Sequence, residues 1–398
     1  MSRSRFLFFI ASTALVLPIL AGSLLGAASQ DQAADGGDSL YKYLSVFTES
    51  LGLVQQTYVE KTDPNTLMNA ALDGITDALD PLAVYVPHDS VKGYVEARRV
   101  GAARSGIFPL RERGMIYVLA VTPGSPADEA GVQSGDLISE IQGRETRVLP
   151  VWQLEEILAG PPGTEVKLKL VRFAENVEAT VKLEDFRAPR PELEDHDGTP
   201  VLTIPVFDDQ TLSEVSSILG SLGDRDKLVV DLRDTAGGDS QVAYRVGGLF
   251  ASGELGRLQD HDKPLESYTG QGGAWKGRIV VLTDRSTLGP AELLAAILRQ
   301  KAGAELVGEH TFGYGGRQSK VDLSDGGALF LADAFYTGPD FKPLDEPLQP
   351  DERVSARDRT FSETEQGNET KDAKPPDLIL EKGIERLQKP PEPAKKAA

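Results

Sequence analysis

The sequence predicts a multidomain α+β protein with an N-terminal helical segment, a small β-rich domain and a larger α/β core. Apolar residues recur at spacings of three and four between residues 39 and 60, which indicates one face of an amphipathic helix. Short β-rich runs separated by turn clusters follow between residues 101 and 187. From residue 199 onward, strand patterns alternate with helical patterns, which is typical of βαβ units and a mainly parallel sheet.

The composition is that of a folded protein and excludes several classes of function. A length of 398 residues suggests two or three domains. The net charge of −19 argues against a nucleic-acid-binding protein, which needs a basic surface. The absence of Cys excludes disulfides, thiolate metal sites and a Cys nucleophile. The four His residues lie far apart and none belongs to an HExxH pair, so we expect neither a metal site nor a cofactor.

The N-terminus has the features of an export signal. Arg3 and Arg5 precede an apolar run over residues 6–26, and Gly26 and Ala28 occupy small-residue cleavage positions. The run is long for a signal peptide and just long enough to span a bilayer. Residues 1–29 are therefore predicted to be either a cleaved signal peptide or an uncleaved membrane anchor, with the rest of the chain outside the cytoplasm.

Two predicted domains precede the core. The first is an N-terminal helical region at residues 37–100, where Asp63 and Pro64 open a second helix as its N-cap and first helical residue. Two neighbouring helices can pack together or against a second copy of the chain, so a homodimer through these helices remains open. The second is the β-rich domain at residues 101–187. In this domain, strands are predicted at residues 115–121, 137–141, 166–171 and 177–183, and a helix is predicted at residues 151–158.

The α/β core is predicted at residues 188–350. One strand covers residues 228–232 shortly before Gly237 and Gly238, and others cover residues 278–283 and 305–308. In such sheets, ligands meet the loops at the carboxyl ends of the strands. The charged segment 351–376 has almost no large aliphatic residues and is predicted to be a disordered linker. A helix at residues 377–389 and a tail at residues 390–398 complete the chain.

Three stretches together resemble the carboxy-terminal processing proteases, which are tail-specific serine peptidases of the S41 type. Residues 125–138, SPADEAGVQSGDLI, and the GPPGT turn at 160–164 are similar to the PDZ domain of that family. Residues 231–238, DLRDTAGG, and the block 286–318 are similar to the motifs of its catalytic domain. The resemblance covers about residues 40 to 352. It implies a PDZ domain at 101–187 and a tail-specific protease core of the ClpP/crotonase-like type.

The catalytic positions that the resemblance implies are degenerate here. The family is described as using a Ser-Lys dyad, in which a hydroxyl attacks and a neutral amine acts as base. Aligned on Glu292 and on the Thr-Phe-Gly at 311–313, the serine position holds Gly289 and the lysine position holds Tyr314. Glycine has no side-chain oxygen, and a phenol with a pKa of about 10 keeps its proton at neutral pH. The next residue, Pro290, has no N–H to donate to an oxyanion.

Other positions of the implied site keep their family identity. Gly237 and Gly238 match the turn that supplies an oxyanion donor, although they can equally be a tight strand-to-helix turn, and Gln318 is retained. Ser286 and Thr287 are the alternative nucleophiles. A displacement of two or three residues moves a side chain by several ångströms, so we expect neither hydroxyl to replace the missing serine.

The predicted peptide-binding loop of the PDZ domain also departs from the family pattern. PDZ domains add an extended peptide as a strand and hold its carboxylate with backbone N–H groups. The corresponding residues are Gly106, Ile107 and Phe108, with Phe108 in place of a glycine. If that position needs a positive φ, phenylalanine is costly there.

The sequence therefore predicts an exported protein, periplasmic or secreted, that binds polypeptide C-termini or unfolded segments without cutting them. The alternative is an active serine endopeptidase of the same family that uses a displaced nucleophile. A small-ligand carrier built on the same fold ranks below both. No nucleic-acid partner is expected, and a membrane is expected only through an uncleaved N-terminal segment.

Overall fold

The computed structural model describes residues 34–100, 104–261, 263–355 and 377–389. It divides into two compact units, residues 1–72 and residues 73–398, which we treat separately. The predicted signal peptide or anchor and the C-terminal tail lie outside the described residues. Within the described ranges, no helix is both long enough and apolar enough to cross a membrane.

The described residues of the first unit are mainly helical. Helix α1 spans Ala34–Thr57, and α2 begins in this unit and spans Pro64–Asp77. The Asp63 carboxylate accepts hydrogen bonds from the N–H groups of Asn65 and Thr66, which confirms the predicted cap. Several large apolar side chains of α1 are exposed: Tyr41, Tyr43, Leu44, Val46, Phe47, Leu53 and Val54.

The β-rich domain is an antiparallel sheet in the order β2-β3-β4-β6-β7, with β5 beside β4. Its elements are β2 (Ile107–Glu112), β3 (Met115–Val121), α4 (Pro126–Glu129), β4 (Leu137–Ile141), β5 (Arg144–Glu145), α5 (Val151–Leu158), β6 (Glu165–Arg172) and β7 (Glu175–Lys182). All four predicted strands and the predicted helix are confirmed within two residues at each end. Ile116, Ile138 and Leu154 are completely buried between the sheet and α5.

The α/β core contains the predicted, mainly parallel sheet in the order β17-β14-β13-β10-β9-β8, in which only β8 is antiparallel to its neighbour. Its strands are β8 (Glu192–His196), β9 (Thr199–Thr203), β10 (Lys227–Asp231), β13 (Arg278–Thr283), β14 (Glu305–Gly308) and β17 (Glu352–Arg353). Helices α6 (Thr211–Ser221), α7 (Ser240–Phe250) and α8 (Pro290–Ala302) share one apolar cluster with its strands. Helix α9 (Leu378–Gln388) packs on a second set of strand residues that includes Val280 and Leu282. The predicted fold class is confirmed.

A second sheet of the core was missed by sequence reasoning. It runs in the order β1-β16-β11-β12, with β15 also beside β16. Its strands are β1 (Val84–Val86), β11 (Ser252–Gln259), β12 (Pro264–Gln271), β15 (Gly316–Asp322) and β16 (Ala328–Tyr336). The predicted N-terminal helical region at residues 37–100 therefore also contains a strand, β1. The three fully buried residues of that strand are too few to show a periodicity, and β1 is held by pairing with β16.

The predicted linker at residues 351–376 needs a correction at its start. Strand β17 pairs with β14, and the Asp351 N–H donates to the Leu306 carbonyl. Arg299 on α8 also forms an ion pair with Asp351 at 2.6 Å. These contacts join residues that are far apart in the sequence. The polar segment therefore has no local pattern that would have predicted them. Residues 356–376 lie outside the described part of the chain.

Candidate functional site

The degenerate catalytic block and the Gly-Gly turn lie side by side at the carboxyl ends of two parallel strands. Strands β10 and β13 are neighbours in register, so the loops that follow them leave the same edge of the sheet. A parallel bridge joins Ala236 to Leu288, and the Leu288 N–H donates to the Thr235 carbonyl at 3.0 Å. The structure thus brings together the two motifs at the edge where ligands are expected.

Gly289 begins helix α8 in a backbone conformation that favours glycine. It is the N-cap residue with φ 60° and ψ −109°, and Pro290 takes the first helical position. That pair of angles lies outside the small left-handed region that other residues can enter. A Cβ atom built on Gly289 would lie 3.8 Å from the Tyr314 carbonyl oxygen. Positions 289 and 314 are therefore adjacent, as the alignment predicts, but neither carries a group of the implied dyad.

Glu292 holds these two positions together. Its carboxylate is completely buried and accepts hydrogen bonds from the N–H groups of Gly289, Gly313 and Tyr314 at 3.0, 2.6 and 3.0 Å. Burial raises the pKa of this carboxyl, while the hydrogen bonds oppose the rise. Sequence reasoning used Glu292 only to fix the alignment. The structure shows that it orders both degenerate positions.

Tyr314 fills the place of the missing base with an aromatic ring. The side chain is 6% exposed and packs with Leu110, Leu119 and Leu288. Its hydroxyl oxygen is buried and makes no hydrogen bond of normal geometry in the described structure, although the side chains of Asp80 and Gln318 lie near it. Burial raises the pKa of the phenol further above its usual value, and the nearby charge of Asp80 adds to the rise. The hydroxyl therefore stays protonated at physiological pH and does not act as a base.

The two alternative nucleophiles are buried and already bonded. The Ser286 hydroxyl donates to the Leu119 carbonyl on β3 at 2.6 Å. The Thr287 hydroxyl donates to the Leu232 carbonyl at 3.0 Å and accepts from the Asp284 N–H at 3.0 Å. Ser286 is 3% exposed and Thr287 is not exposed at all. Neither hydroxyl has an amine or imidazole partner among its hydrogen bonds in the described residues.

The Gly-Gly turn is retained, with Gly237 half-buried near Phe108 of the PDZ domain and Gly238 exposed. Gly237 and Gly238 have φ values of 91° and 113°. A Cβ on Gly238 would lie 2.8 Å from the Phe207 carbonyl oxygen, so this close approach requires glycine. A Cβ on Gly237 would meet the ring of Phe108 at 3.5 Å. A packing role is thus sufficient to explain Gly238, and Phe108 lies against the turn where the implied oxyanion would sit.

The side chain of Gln318 forms hydrogen bonds with two neighbouring segments of the chain. Arg98, on helix α3 (Val91–Val100), donates to Gln318 Oε1 at 2.6 Å. The Gln318 side-chain amide donates to the Leu82 carbonyl. Gln318 therefore connects β15 to α3 and to the loop before β1.

In the predicted peptide-binding loop, Gly106 is the residue with the positive φ. Its φ is 81°, and a Cβ there would lie 1.9 Å from Ser125 Oγ, so only glycine fits. Ile107 and Phe108 belong to β2, and Phe108 does not have a positive φ. The conformational cost considered for phenylalanine at this position does not arise.

Sequence reasoning missed a pair of carboxylates between the PDZ domain and the core. Both oxygens of Asp284 lie 3.3–3.4 Å from the Asp234 N–H, and Ser134 of the PDZ domain donates to Asp234 Oδ1 at 2.7 Å. Burial, followed by the nearby Asp234 charge, raises the pKa of Asp284 to about 7. The sequence marked this pair of carboxylates only by position: one aspartate follows strand β10, and another follows its neighbour β13.

Comparisons with known proteins agree with this architecture. Residues 198–354 match the model of peptidase family S41, and residues 117–172 match a PDZ domain model. Carboxy-terminal processing protease CtpA of Bacillus subtilis is 27% identical over 354 residues, which are 85% of this chain and 75% of that protein. The carboxy-terminal-processing protease of Bartonella bacilliformis is 27% identical over 350 residues, which are 84% and 79% of the two chains.

A solved structure supports the fold. The photosystem II D1 C-terminal processing protease matches with a TM-score of 0.62 at 21% identity, over 78% of this chain and 93% of that chain. The predicted resemblance is therefore confirmed: residues 198–354 match peptidase family S41, residues 117–172 match a PDZ domain, and the similar proteins are carboxy-terminal processing proteases.

Proposed function

We propose that this protein binds polypeptide chains outside the cytoplasm and does not cleave them. The observation that carries the proposal is the combination of Gly289 and Tyr314 at adjacent positions. Acyl transfer needs a nucleophilic oxygen beside a base, and this pair supplies neither. Pro290 removes one implied oxyanion donor, and Phe108 lies against the turn that would supply the other.

The alternative of a displaced nucleophile is disfavoured by the hydrogen bonds of Ser286 and Thr287. Each hydroxyl would have to break a buried bond to a backbone carbonyl before it could attack a substrate. Breaking such a bond leaves the carbonyl unsatisfied, at a cost of about 1–3 kcal/mol. The side chains would also have to become accessible, since both are buried.

The polypeptide partners are proposed because the chain matches peptidase family S41 and a PDZ domain. The named relatives process carboxy-terminal segments, so we propose that this chain engages polypeptide C-termini or unfolded segments. We further propose a homodimer through α1, because its exposed apolar side chains suit contact with a second copy. Export is proposed on the sequence of residues 1–29, and a reporter fused after residue 40 tests it.

The experiment compares binding with cleavage on one substrate. Unfolded casein is incubated with the mature protein, its binding is measured by co-sedimentation, and new peptide termini are counted by mass spectrometry. We expect binding without new termini. New termini that increase with protein purity would contradict the proposal.

A variant with the implied catalytic residues restored shows whether only those residues differ or the rest of the site has changed as well. Gly289→Ser, Pro290→Ala and Tyr314→Lys together restore the implied dyad and the missing N–H. Burial among Leu110, Leu119 and Leu288 lowers the pKa of a lysine at 314, which favours the neutral amine that the base needs. Serine at 289 is strained by about 1–3 kcal/mol in the present backbone conformation. Cleavage by this variant alone would show that the rest of the site is intact.

A further inference from the structure

Trp152 on helix α5 anchors the PDZ domain in the rest of the chain. Its side chain is 8% exposed and belongs to one apolar cluster with Val84 of β1, Tyr94 of α3 and Phe330 of β16. The buried indole N–H has no hydrogen-bond partner in the part of the chain that the structure describes. A buried donor without an acceptor costs free energy, so this contact is less stable than its apolar area alone suggests.

Glu155 lies one turn further along α5, at the same contact. It is half-buried and faces Arg98 and Tyr94 of α3. Burial raises the pKa of Glu155 to about 7, while the charge of Arg98 and a hydrogen bond from Tyr94 oppose the rise. Separation of α5 from α3 would hydrate this carboxyl and return its pKa towards the usual value of 4.5.

Carboxylates gather at a second contact between the PDZ domain and the core. Ser134 of the PDZ domain donates to Asp234 Oδ1 at 2.7 Å, and both oxygens of Asp284 lie 3.3–3.4 Å from the Asp234 N–H. Burial, followed by the Asp234 charge, raises the pKa of Asp284 to about 7, while the charge of Arg233 opposes the rise. Asp128 of the PDZ domain adds a further negative charge near Asp234. The two sides of this contact therefore carry charges of the same sign.

The arginines beside this contact are already paired with other carboxylates. Arg233 forms ion pairs with Asp231 and Asp377 at 2.5 and 2.7 Å. Arg285 lies 3.4 Å from Glu309. These pairs leave a surplus of negative charge at the contact when all of its carboxyls are ionised. Proton uptake by the carboxyls relieves such a surplus.

We propose that the PDZ domain is held against the core at acidic pH and is released as the pH rises above neutrality, with Asp284 and Glu155 as the two groups that control the release. The two carboxyls lie at separate contacts and act in the same direction. Neither belongs to the implied catalytic dyad. The inference goes beyond the proposed function and stands whether the chain binds polypeptides, cuts them or does neither.

The direction of the pH dependence follows from the two carboxyls. Each binds its proton more tightly in the docked form than when hydrated, so docking takes up protons. The stabilisation of the docked form is full below about pH 4 and is lost as the pH rises through about 7. If release hydrates both carboxyls completely, the ratio of docked to released molecules falls about tenfold for each group between pH 6 and 8.

The two tryptophans of the chain report on the two sides of the contact separately. Trp275→Phe leaves only Trp152, and Trp152→Phe leaves only Trp275, which is buried against Phe250 in the core. Emission and acrylamide quenching are measured from pH 5 to 9. We expect Trp152 to shift to longer wavelength and to become accessible between pH 6 and 8, while Trp275 stays unchanged. A Trp152 that stays buried up to pH 9, or a simultaneous shift of both residues, would overturn the proposal.

Variants of the two carboxyls identify the groups that titrate. In the protein with Trp152 alone, Asp284→Asn and Glu155→Gln should each reduce the pH dependence, and the double variant should remove it. Asp209→Asn and Glu175→Gln are the matched controls, because both side chains are exposed. The charge of Glu155 acts on the nearby indole directly, so Asp284→Asn is the decisive variant. An unchanged transition in Asp284→Asn would show that the proposal is wrong.

A pair of dyes gives a measurement that needs no tryptophan variant. Because the chain has no Cys, Val148→Cys on the PDZ domain and Ser221→Cys at the end of α6 can carry a donor and an acceptor at exposed positions. Energy transfer should change between pH 6 and 8 in the otherwise unchanged chain and stay constant in the Asp284→Asn, Glu155→Gln double variant. Constant transfer in both proteins, or the same change in both, would contradict release through these two carboxyls.

Discussion

The Ser286 hydroxyl donates a 2.6 Å hydrogen bond to the Leu119 carbonyl, so a hydroxyl near the lost nucleophile position joins the core to the PDZ domain. Leu119 also packs with Leu288 and Tyr314, and Phe108 lies against Gly237. Side chains of the PDZ domain thus pack against residues beside both degenerate catalytic positions.

Ser286→Ala should lower the free energy of unfolding by about 1–2 kcal/mol, since it leaves the buried Leu119 carbonyl without its donor. Urea denaturation measures the change, and hydrogen exchange should increase in β3. Ser221→Ala is the control, because that exposed hydroxyl bonds only within its own helix turn. An unchanged stability would show that the bond to Leu119 contributes nothing.

Tyr314→Phe should leave the stability unchanged or raise it by up to about 1 kcal/mol, because it removes a buried hydroxyl that makes no hydrogen bond of normal geometry. Tyr244→Phe is the matched comparison, since the Tyr244 hydroxyl donates to the Thr337 carbonyl at 2.8 Å. That variant should lose about 1 kcal/mol. Thermal and urea unfolding of both variants distinguish the two tyrosines. A loss at Tyr314 as large as at Tyr244 would contradict this view of the remodelled site.

Asp284→Asn should remove part of the pH dependence of stability. The folded pKa of about 7 lies above the usual value of 3.8, so the folded state holds this proton more tightly than the unfolded state. The stabilisation is full below about pH 4 and is lost as the pH rises to about 7, with a slope of at most about 1.4 kcal/mol per pH unit. Urea unfolding between pH 4 and 8 measures the slope, with Asp209→Asn as an exposed control. Equal slopes in Asp284→Asn and the wild type would contradict the assignment.

Phe47→Asp should shift the protein from dimer to monomer if α1 forms the interface with a second copy. A charge in an apolar contact that loses water is strongly unfavourable. Light scattering after size exclusion measures the mass, and Glu49→Ala on the same helix is the control. A wild-type protein that stays monomeric at high concentration would contradict the dimer.

The sequence was most informative where patterns are local. The strands at 115–121 and 137–141 are β-rich runs between turn clusters, and the structure has them at those positions. Strands β1 and β17 are short and depend on pairing with distant strands, so no local pattern marks them. The adjacency of Gly289 and Tyr314 followed from the motif alignment. The contacts of Phe108 with Gly237 and of Ser286 with Leu119 join separate domains, and neither leaves a trace in sequence spacing.

Whether the chain has peptidase chemistry is measured by the rate at which new peptide termini appear in unfolded casein. The wild type is compared with a Ser286→Ala, Thr287→Ala double variant at equal concentration. We expect that neither protein produces new termini above a buffer control. A wild-type rate that is well above that control and disappears in the double variant would contradict it.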